Sequence, residues 1–134
     1  MADIVRDEVR KTIGQLEDGG IKRVVMLTGD NPEVAKNIAD SVGIGEWSAR
    51  LLPQHKVDYI RKMQEEGYTV AMVGDGINDA PALAQADLGI AMGITGTDVA
   101  MDTADIVLMT GDALKAAEAI NLSRETLRVI NQNL

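Results

Sequence analysis

The chain has 134 residues, of which 21 are acidic and 13 basic, so its formal net charge is −8. This length suits one domain, and a content of 46% hydrophobic and 25% charged residues is typical of a globular protein. The acidic balance, the 2% aromatic content and the lack of a basic run argue against nucleic acid as a partner. Without cysteine there is neither a disulfide nor a thiolate metal site, and no apolar run approaches the roughly 20 residues that span a bilayer.

The first third of the chain predicts a helix, a strand and a second helix in direct succession. Apolar residues at helical spacing over 3–16 predict an amphipathic helix, which Gly19-Gly20 ends. The β-branched run 21–27 predicts a buried strand. Asn31 is expected to cap the next helix, with Pro32 in its first turn.

The same alternation continues to the end of the chain. Further strands are predicted over 49–52, 69–73, 88–92 and 104–109. One further helix is predicted to end near Gly67, another to span 80–86, and the last to begin at Asp112. Strands that alternate with helices imply an α/β fold, with a parallel sheet flanked by helices on both faces as in Rossmann-like proteins. No linker or internal repeat interrupts the pattern, so residues 1–134 are predicted to form a single domain.

Two loops follow predicted strands, and ligands bind at that edge of a parallel sheet because helix N-termini present free N–H groups there. The first loop has the sequence Thr28-Gly29-Asp30-Asn31. Gly29 allows close approach of the backbone, and the Thr28 hydroxyl with neighbouring N–H groups would hold a phosphate oxygen. Taken alone, the pattern is more typical of a turn in which Asp30 and Asn31 only cap the helix.

The second loop is more specific and has the sequence Gly74-Asp75-Gly76-Ile77-Asn78-Asp79-Ala80-Pro81. Asp75 and Asp79 are expected on the same side of a turn that enters a helix. Such hard oxygen ligands suit Mg²⁺, which commonly takes one or two protein carboxylates together with substrate phosphate. Asn78 adds a neutral donor and acceptor. The same residues also suit a plain turn with a helix cap, and the local pattern leaves both interpretations open.

Lys56 lies between these loops in the sequence, at the predicted start of a helix. A cation there would neutralise a phosphorylated carboxylate at the sheet edge, since phosphoryl transfer is catalysed mostly by positioning and charge stabilisation. The alternative is a solvated surface charge, which is the ordinary state of a single lysine. His55, the only histidine, is assigned to the surface.

Taken together, these motifs resemble the P-type cation-transporting ATPases, which belong to the haloacid-dehalogenase-like superfamily. The likeness is carried in order by Thr28-Gly29-Asp30-Asn31, by Leu52-Pro53 with Lys56, by residues 74–83 and by the segments 86–93 and 96–100. It covers nearly the whole chain and is closest to the heavy-metal class. The run Val24-Val25-Met26-Leu27 favours the zinc/cadmium type over the copper type.

The resemblance implies a role for each loop residue. The residues implied to contact the phosphoryl group or to neutralise its charge are Thr28, Asp30, Lys56, Asn78 and Asp79. The glycines implied to line the phosphate-binding loops, with Thr28, are Gly29, Gly74 and Gly76. The implied Mg²⁺ ligands are Asp75 and Asp79. The implied cofactors are Mg²⁺ and, for the whole pump, ATP, and the implied location is the cytoplasmic side of a membrane, with the 134 residues themselves soluble.

One motif of that family is missing from the sequence. Family members form a phosphoaspartate on the Asp of Asp-Lys-Thr-Gly-Thr, whereas residues 93–97 here read Gly-Ile-Thr-Gly-Thr. The resemblance therefore implies the C-terminal part of a phosphorylation domain. Its implied partners are the nucleophile segment, the nucleotide-binding domain and the membrane domain. The chain alone is expected not to autophosphorylate, and loss of the nucleophile strand is expected to cause self-association through an unpaired sheet edge, or a rearranged edge.

Two alternatives from other functional classes stay open. A free-standing phosphatase of the same superfamily would need an aspartate nucleophile at the end of a strand, and none of Asp3, Asp7 and Asp18 has that position. A non-catalytic module for Mg²⁺ binding or protein interaction would keep the fold and lose the chemistry. The loop residues by themselves do not exclude it.

Overall fold

A computed structural model of the chain describes residues 2–74, 79–91 and 104–112. The helices of this part are α1 (Ala2–Asp18), α2 (Pro32–Val42), α3 (Pro53–Glu65) and α4 (Ala80–Gln85). The strands are β1 (Arg23–Thr28), β2 (Glu46–Ser48), β3 (Thr69–Gly74), β4 (Leu88–Ala91) and β5 (Ala104–Thr110). They form one sheet in the order β2-β1-β5-β3-β4. None of the described helices is long and apolar enough to cross a membrane.

The predicted α/β fold is confirmed, but the sheet is mixed rather than wholly parallel. β1 pairs in parallel with β2, and β3 in parallel with β4. β5 lies between β1 and β3 and runs antiparallel to both. A parallel strand needs a crossover connection, usually a helix, and the sequence predicts no helix between the last two strands. The simple strand–helix alternation, from which the parallel sheet was inferred, fails at this step.

Helices cover both faces of the sheet, as the sequence predicts. Side chains alternate along each strand, so that Val24 and Met26 of β1 pack in the cluster formed with α1 and α2. Val25 and Leu27 pack in the cluster on the other face, with α3 and α4. The same alternation in β3 and β5 explains why these strands are apolar almost throughout.

The prediction of a strand over 49–52 is wrong. The structure places this strand at Glu46–Ser48, where Trp47 is the register partner of Met26. Arg50 has a φ of 56°, which breaks the extended backbone, and the N–H of Leu51 then donates to the carbonyl oxygen of Thr28 at 3.0 Å. The chain therefore turns into α3 where the apolar residues had indicated a strand.

The unpaired edge expected from the missing strand is not seen in the described sheet. β5 joins β1 to β3 without a gap, and the edge strands are β2, with 3 residues, and β4, with 4 residues. β5 lies in the middle of the sheet and is not an edge strand, so the expected self-association or rearranged edge stays a prediction. The helix predicted after Asp112 lies outside the described residues.

Candidate functional site

The carboxyl ends of β1 and β3 lie at one edge of the sheet, on either side of the start of β5. From there β1 leads through α2 to its outer neighbour β2, and β3 leads through α4 to β4 on the opposite side. α2 and α4 pack on opposite faces. Open α/β sheets bind ligands outside the carboxyl ends of the strands at such a point, where the strand order reverses. This edge is thus the candidate site.

A buried cluster of three charged side chains lies at this edge, and we call Lys56, Asp79 and Asp105 the lysine–aspartate cluster. The Nζ of Lys56 donates to Oδ1 of Asp79 at 3.0 Å and to Oδ2 of Asp105 at 2.6 Å. The exposed fractions of the three residues are 6%, 3% and 1% in that order. One ammonium group therefore lies between two carboxyl groups, out of contact with solvent.

The start of α3 explains why Lys56 is buried. Pro53 occupies the first turn, and the backbone N–H of Leu52 donates to Nδ1 of His55 at 3.1 Å. Lys56 precedes Ile60 and Met63 by four and seven positions, so all three belong to the stripe that faces the sheet. The alternative of a solvated lysine is therefore wrong, whereas the surface position predicted for His55 is confirmed.

Asp79 precedes α4 but makes no side-chain capping bond to that helix. Its carboxylate instead contacts Lys56, so a plain capped turn does not describe this residue. Gly74, at the end of β3, adjoins the same carboxylates. A Cβ added to Gly74 would lie 2.6 Å from Oδ1 of Asp105 and 2.8 Å from Oδ2 of Asp79. Glycine is needed here because the two acidic side chains fill the space beside it.

Asp105 is a member of the cluster that the sequence analysis missed. The available signal was an acidic residue inside an otherwise apolar predicted strand, since a buried charge requires a partner. Burial raises the pKa of Asp105 to about 8, and the neighbouring Asp79 adds to the rise while Lys56 opposes it. Burial lowers the pKa of Lys56, but its hydrogen bonds and charge interactions with Asp105 and Asp79 outweigh that effect and raise the pKa above its ordinary value.

The pKa of Asp105 predicts a specific pH dependence of stability. Its ordinary value of 3.8 applies to the unfolded chain, so between about pH 4 and pH 8 the folded chain binds more protons than the unfolded one. The stabilising effect of this protonation is complete below pH 4 and is lost as the pH rises through about 8. We expect Asp105→Asn to remove this dependence, and to raise the free energy of unfolding by about 1–2 kcal/mol at pH 8.

Urea unfolding at several pH values between 5 and 8 measures this effect. The exposed Asp58 provides the control, and Asp58→Asn should follow the wild-type curve throughout. Oδ1 of Asp105 has no hydrogen-bond partner among the described residues, and Asp105→Asn allows an amide group with a donor to take its place. Parallel pH curves for the wild-type chain and Asp105→Asn would contradict the pKa assignment.

The β1 loop lies at the same edge, and the side chain of Thr28 belongs to the other face of the sheet. Thr28 is fully buried, and its Oγ1 accepts a hydrogen bond from the N–H of Asp30 at 3.1 Å. The alternation along β1 places Thr28 with Val24 and Met26, opposite the face of the lysine–aspartate cluster. An anion that contacts both Thr28 and Lys56 must therefore lie beyond the strand ends.

Two further residues of that loop have defined local roles. The Asn31 side chain caps α2 by accepting from the N–H of Val34 at 2.9 Å, which confirms its predicted role. A Cβ on Gly29 would lie 3.2 Å from the carbonyl oxygen of Leu51, so the loop passes close to the segment before α3. Of the second loop, Asp75, Gly76 and Asn78 lie outside the described residues, and their predicted roles stay predictions.

The donor chemistry at this edge fits Mg²⁺. Carboxylate oxygens are the protein ligands that Mg²⁺ prefers. Asp79 Oδ2 and Asp105 Oδ1 both lie within 3 Å of one point beside Gly74, the position of the added Cβ, and Asp105 Oδ1 is buried without a hydrogen-bond partner in the described part of the chain. Residues 2–74, 79–91 and 104–112 contain no group of three or more acidic or histidine side chains arranged for a metal. A complete ligand set therefore needs water, phosphate or residues of the second loop.

The chain belongs to the haloacid dehalogenase-like hydrolase family, whose model matches residues 1–87. Its relatives are heavy-metal P-type ATPases. It is 50% identical to the zinc-exporting P-type ATPase of Mycobacterium marinum over 133 residues, a match that covers 99% of the chain. It is 54% identical over 134 residues to the probable copper-exporting P-type ATPase V of Mycobacterium tuberculosis, which covers 100% of the chain. The chain spans only 18% and 17% of the length of these two relatives.

A solved structure described as the catalytic CPx-ATPase domain CopB-B has a similar fold. It matches with a TM-score of 0.53 and 33% identity over 82% of this chain and 39% of its own. The resemblance to heavy-metal P-type ATPases and the haloacid-dehalogenase-like fold class are thereby confirmed. Because the zinc-exporting and copper-exporting relatives are almost equally similar, the preference for the zinc/cadmium type stays a prediction.

Proposed function

We propose that the chain forms part of the catalytic phosphorylation domain of an ATP-driven heavy-metal cation pump on the cytoplasmic side of a membrane. There it supplies the phosphate-binding and Mg²⁺-binding loops for formation and hydrolysis of an aspartyl phosphate. The observation that carries this proposal is the buried contact of Lys56 with two carboxyl groups at the carboxyl edge of the sheet. The identity of about 50% to named metal-transporting ATPases supports it.

Lys56 is the residue that neutralises the phosphorylated carboxylate. Its pKa lies above the ordinary value, so the ammonium stays charged at neutral pH. Because it is almost fully buried, its attraction to an anion is weakly screened. Its contact with Asp105 shows that the ammonium accommodates a second carboxyl group beside Asp79. This arrangement suits phosphoryl transfer, in which charge stabilisation and positioning supply most of the catalysis.

Asp79 and Asp75 are the proposed Mg²⁺ ligands. Bound Mg²⁺ would neutralise part of the negative charge on the phosphate oxygens. Asp79 is held by Lys56, which fixes the position of its carboxylate. Asn78 is proposed to support the phosphate, and Gly74 leaves space for the acidic side chains beside β3.

The β1 loop is the second proposed phosphate contact. Thr28 and Asp30 are linked by the bond from the Asp30 N–H to Thr28 Oγ1, which holds the loop in a turn after the strand. Gly29 and Gly76 are proposed to let the backbone approach the phosphate in their respective loops. Since Thr28 and Lys56 lie toward opposite faces, the phosphate would be bound over the strand ends, between the two loops.

The remaining parts of the reaction are assigned to other segments of the pump. The 134 residues contain no Asp-Lys-Thr-Gly-Thr sequence, so the aspartate that is phosphorylated is proposed to come from another segment. ATP binding and the ion path are likewise assigned to the nucleotide-binding and membrane domains. These are the proposed partners of the chain.

The proposal is tested in the longer protein obtained by extending the reading frame on both sides. Incubation with radiolabelled ATP and Mg²⁺ should give an acid-stable, hydroxylamine-sensitive label. We expect Lys56→Ala to lower the rate of label formation about 100-fold, because the charge-stabilising cation is removed. Lys36→Ala, at an exposed position of α2, should leave the rate unchanged.

Lys56→Arg keeps the charge and tests the position of the cation separately from its presence. Circular dichroism of each variant separates a loss of catalysis from a loss of folding. Label formation that is undiminished in folded Lys56→Ala, or that does not require Mg²⁺, would refute the proposed function. Hydrolysis of a generic phosphate ester by the 134 residues alone, abolished by Asp75→Asn, would instead favour the free-standing phosphatase.

A further inference from the structure

α4 is a short helix with little of its own to hold it in place. It has 6 residues, and its buried residue is Ala82. Isolated helices shorter than about 12 residues are marginal in water. Asp79, directly before α4, makes no side-chain capping bond to the helix. The position of α4, and with it the position of Asp79, therefore depends on contacts with neighbouring elements.

Side-chain contacts tie α4 to α3 at both ends. At the carboxyl edge of the sheet, Lys56 of α3 contacts Asp79. At the other end, Gln85 Nε2 donates to Gln64 Oε1 at 2.8 Å, and Gln64 Nε2 donates to the carbonyl oxygen of Gln85 at 2.9 Å. Gln64 follows Lys56 by eight positions, about 12 Å along α3. Helices joined at two such distant points cannot slide past each other without breaking one of the contacts.

Asp87 extends the contact at the far end to the sheet. Gln64 Nε2 also donates to Oδ2 of Asp87 at 3.1 Å, and the same oxygen accepts from the backbone N–H of Val70 at 2.8 Å. Val70 directly precedes Ala71, where the pairing of β3 with β4 begins, so the Asp87 side chain adds one bond to that pairing. We call Gln64, Gln85 and Asp87 the glutamine clamp, which joins α3, α4 and β3.

The place of Asp79 relative to Lys56 matters for the proposed site. Mg²⁺ requires near-ideal geometry of its ligands, so a small displacement of the Asp79 carboxylate weakens its contribution. A misplacement of about 1 Å, caused by a residue far from the chemistry, can lower a rate about 100-fold. A device that fixes α4 against α3 therefore acts on the site even from the opposite edge of the sheet.

We propose that Gln64, together with Gln85 and Asp87, is a positioning residue that sets the place of Asp79 beside Lys56 from the far end of the α3–α4 pair. The clamp acts through Asp79 and is not proposed to contact phosphate or Mg²⁺. This inference rests on the proposed function, in which Asp79 is a Mg²⁺ ligand.

A double-variant cycle in the 134-residue chain tests the link between the two ends of α4. Gln64→Ala should raise the equilibrium constant of urea unfolding about 10-fold, because the hydrogen bonds of the clamp are lost. In the background Asp79→Ala the increase should be at most about 3-fold, because α4 is then already released at its start. Glu65→Ala, at an exposed neighbouring position of α3, should change the constant less than about 2-fold in either background. Equal effects of Gln64→Ala in the two backgrounds would overturn the positioning role.

The Mg²⁺ dependence of acyl phosphate formation in the longer protein separates positioning from stability. Gln64→Ala should raise the Mg²⁺ concentration that gives a half-maximal rate about 10-fold, while the rate at saturating Mg²⁺ falls less than about 3-fold, since Lys56 is still present. Gln64→Glu keeps the shape of the side chain but lacks both donated bonds, so it should give the same shift. Glu65→Ala should match the wild-type protein, and circular dichroism verifies the folding of each variant.

The two measurements distinguish failure of the clamp from failure of the proposed function. Wild-type Mg²⁺ dependence in folded Gln64→Ala would overturn the positioning role and leave the proposed function intact. Non-additive unfolding in the 134-residue chain, together with a longer protein that forms no acyl phosphate, would support the link between the clamp and Asp79 and overturn the proposed function.

Discussion

Replacing Lys56 with alanine is expected to lower the free energy of unfolding by about 3–5 kcal/mol at pH 8. The substitution removes the ammonium that contacts Asp79 at 3.0 Å and Asp105 at 2.6 Å. Both carboxyl groups stay almost fully buried, so the main loss is the cost of buried negative charge without a counter-ion. A loss of this size is a large part of the total stability of a small domain, and urea unfolding followed by circular dichroism measures it.

The pH dependence of the same variant separates charge from packing. Towards pH 5 the loss should shrink, because burial raises the pKa of Asp105 to about 8 and its protonation removes part of the uncompensated charge. The double variant Lys56→Ala/Asp105→Asn should recover part of the loss at pH 8, since one acidic group is gone. Lys36→Ala, at an exposed position, should change stability by less than about 0.5 kcal/mol. A loss for Lys56→Ala below about 1 kcal/mol at pH 8 would show that the buried cluster does not form.

Replacing Gly74 with alanine is expected to lower the free energy of unfolding by about 2–3 kcal/mol. The new methyl group would lie 2.6 Å from Oδ1 of Asp105 and 2.8 Å from Oδ2 of Asp79, which is closer than such atoms approach. Both side chains are short, buried and held by Lys56, so neither can move away without weakening its contact with the ammonium. Thermal and urea unfolding measure the effect.

Gly14→Ala provides a control, because it is expected to raise the free energy of unfolding rather than to lower it. Gly14 lies within α1, and a Cβ there would meet nothing within 4 Å. Gly14→Ala should therefore stabilise the chain by about 0.5–1 kcal/mol, because alanine favours the helix interior. A Gly74→Ala chain as stable as the wild-type chain would refute the placement of the Asp79 and Asp105 carboxyl groups beside Gly74.

Much of the fold could be predicted from local spacing. The apolar alternation of β1 and β3 marks strands that are buried on both faces, and the structure covers both with helices. The Asn31 cap followed from residue type and position relative to Pro32. The strand predicted over 49–52 failed because the positive φ of Arg50 ends the extended backbone, and an arginine carries no sequence signal for that conformation.

The candidate site was only partly predictable. The spacing of Lys56 to Ile60 and Met63 places it on the buried stripe of α3, and Asp79 was singled out from its loop. Asp105 was missed, since it lies 49 residues from Lys56 and only strand pairing brings the two together. The sequence likewise placed Thr28 and Lys56 at one edge without showing that they belong to opposite faces of the sheet.

Residue spacing and ordered local motifs are enough to predict the α/β class, the positions of most helices and strands, and the family to which the chain belongs. The antiparallel direction of β5 between β1 and β3, and the contact of Asp105 near the start of that strand with Lys56, are seen only in the folded chain. Strand order and direction depend on contacts between residues far apart in the sequence, and local periodicity carries no record of them.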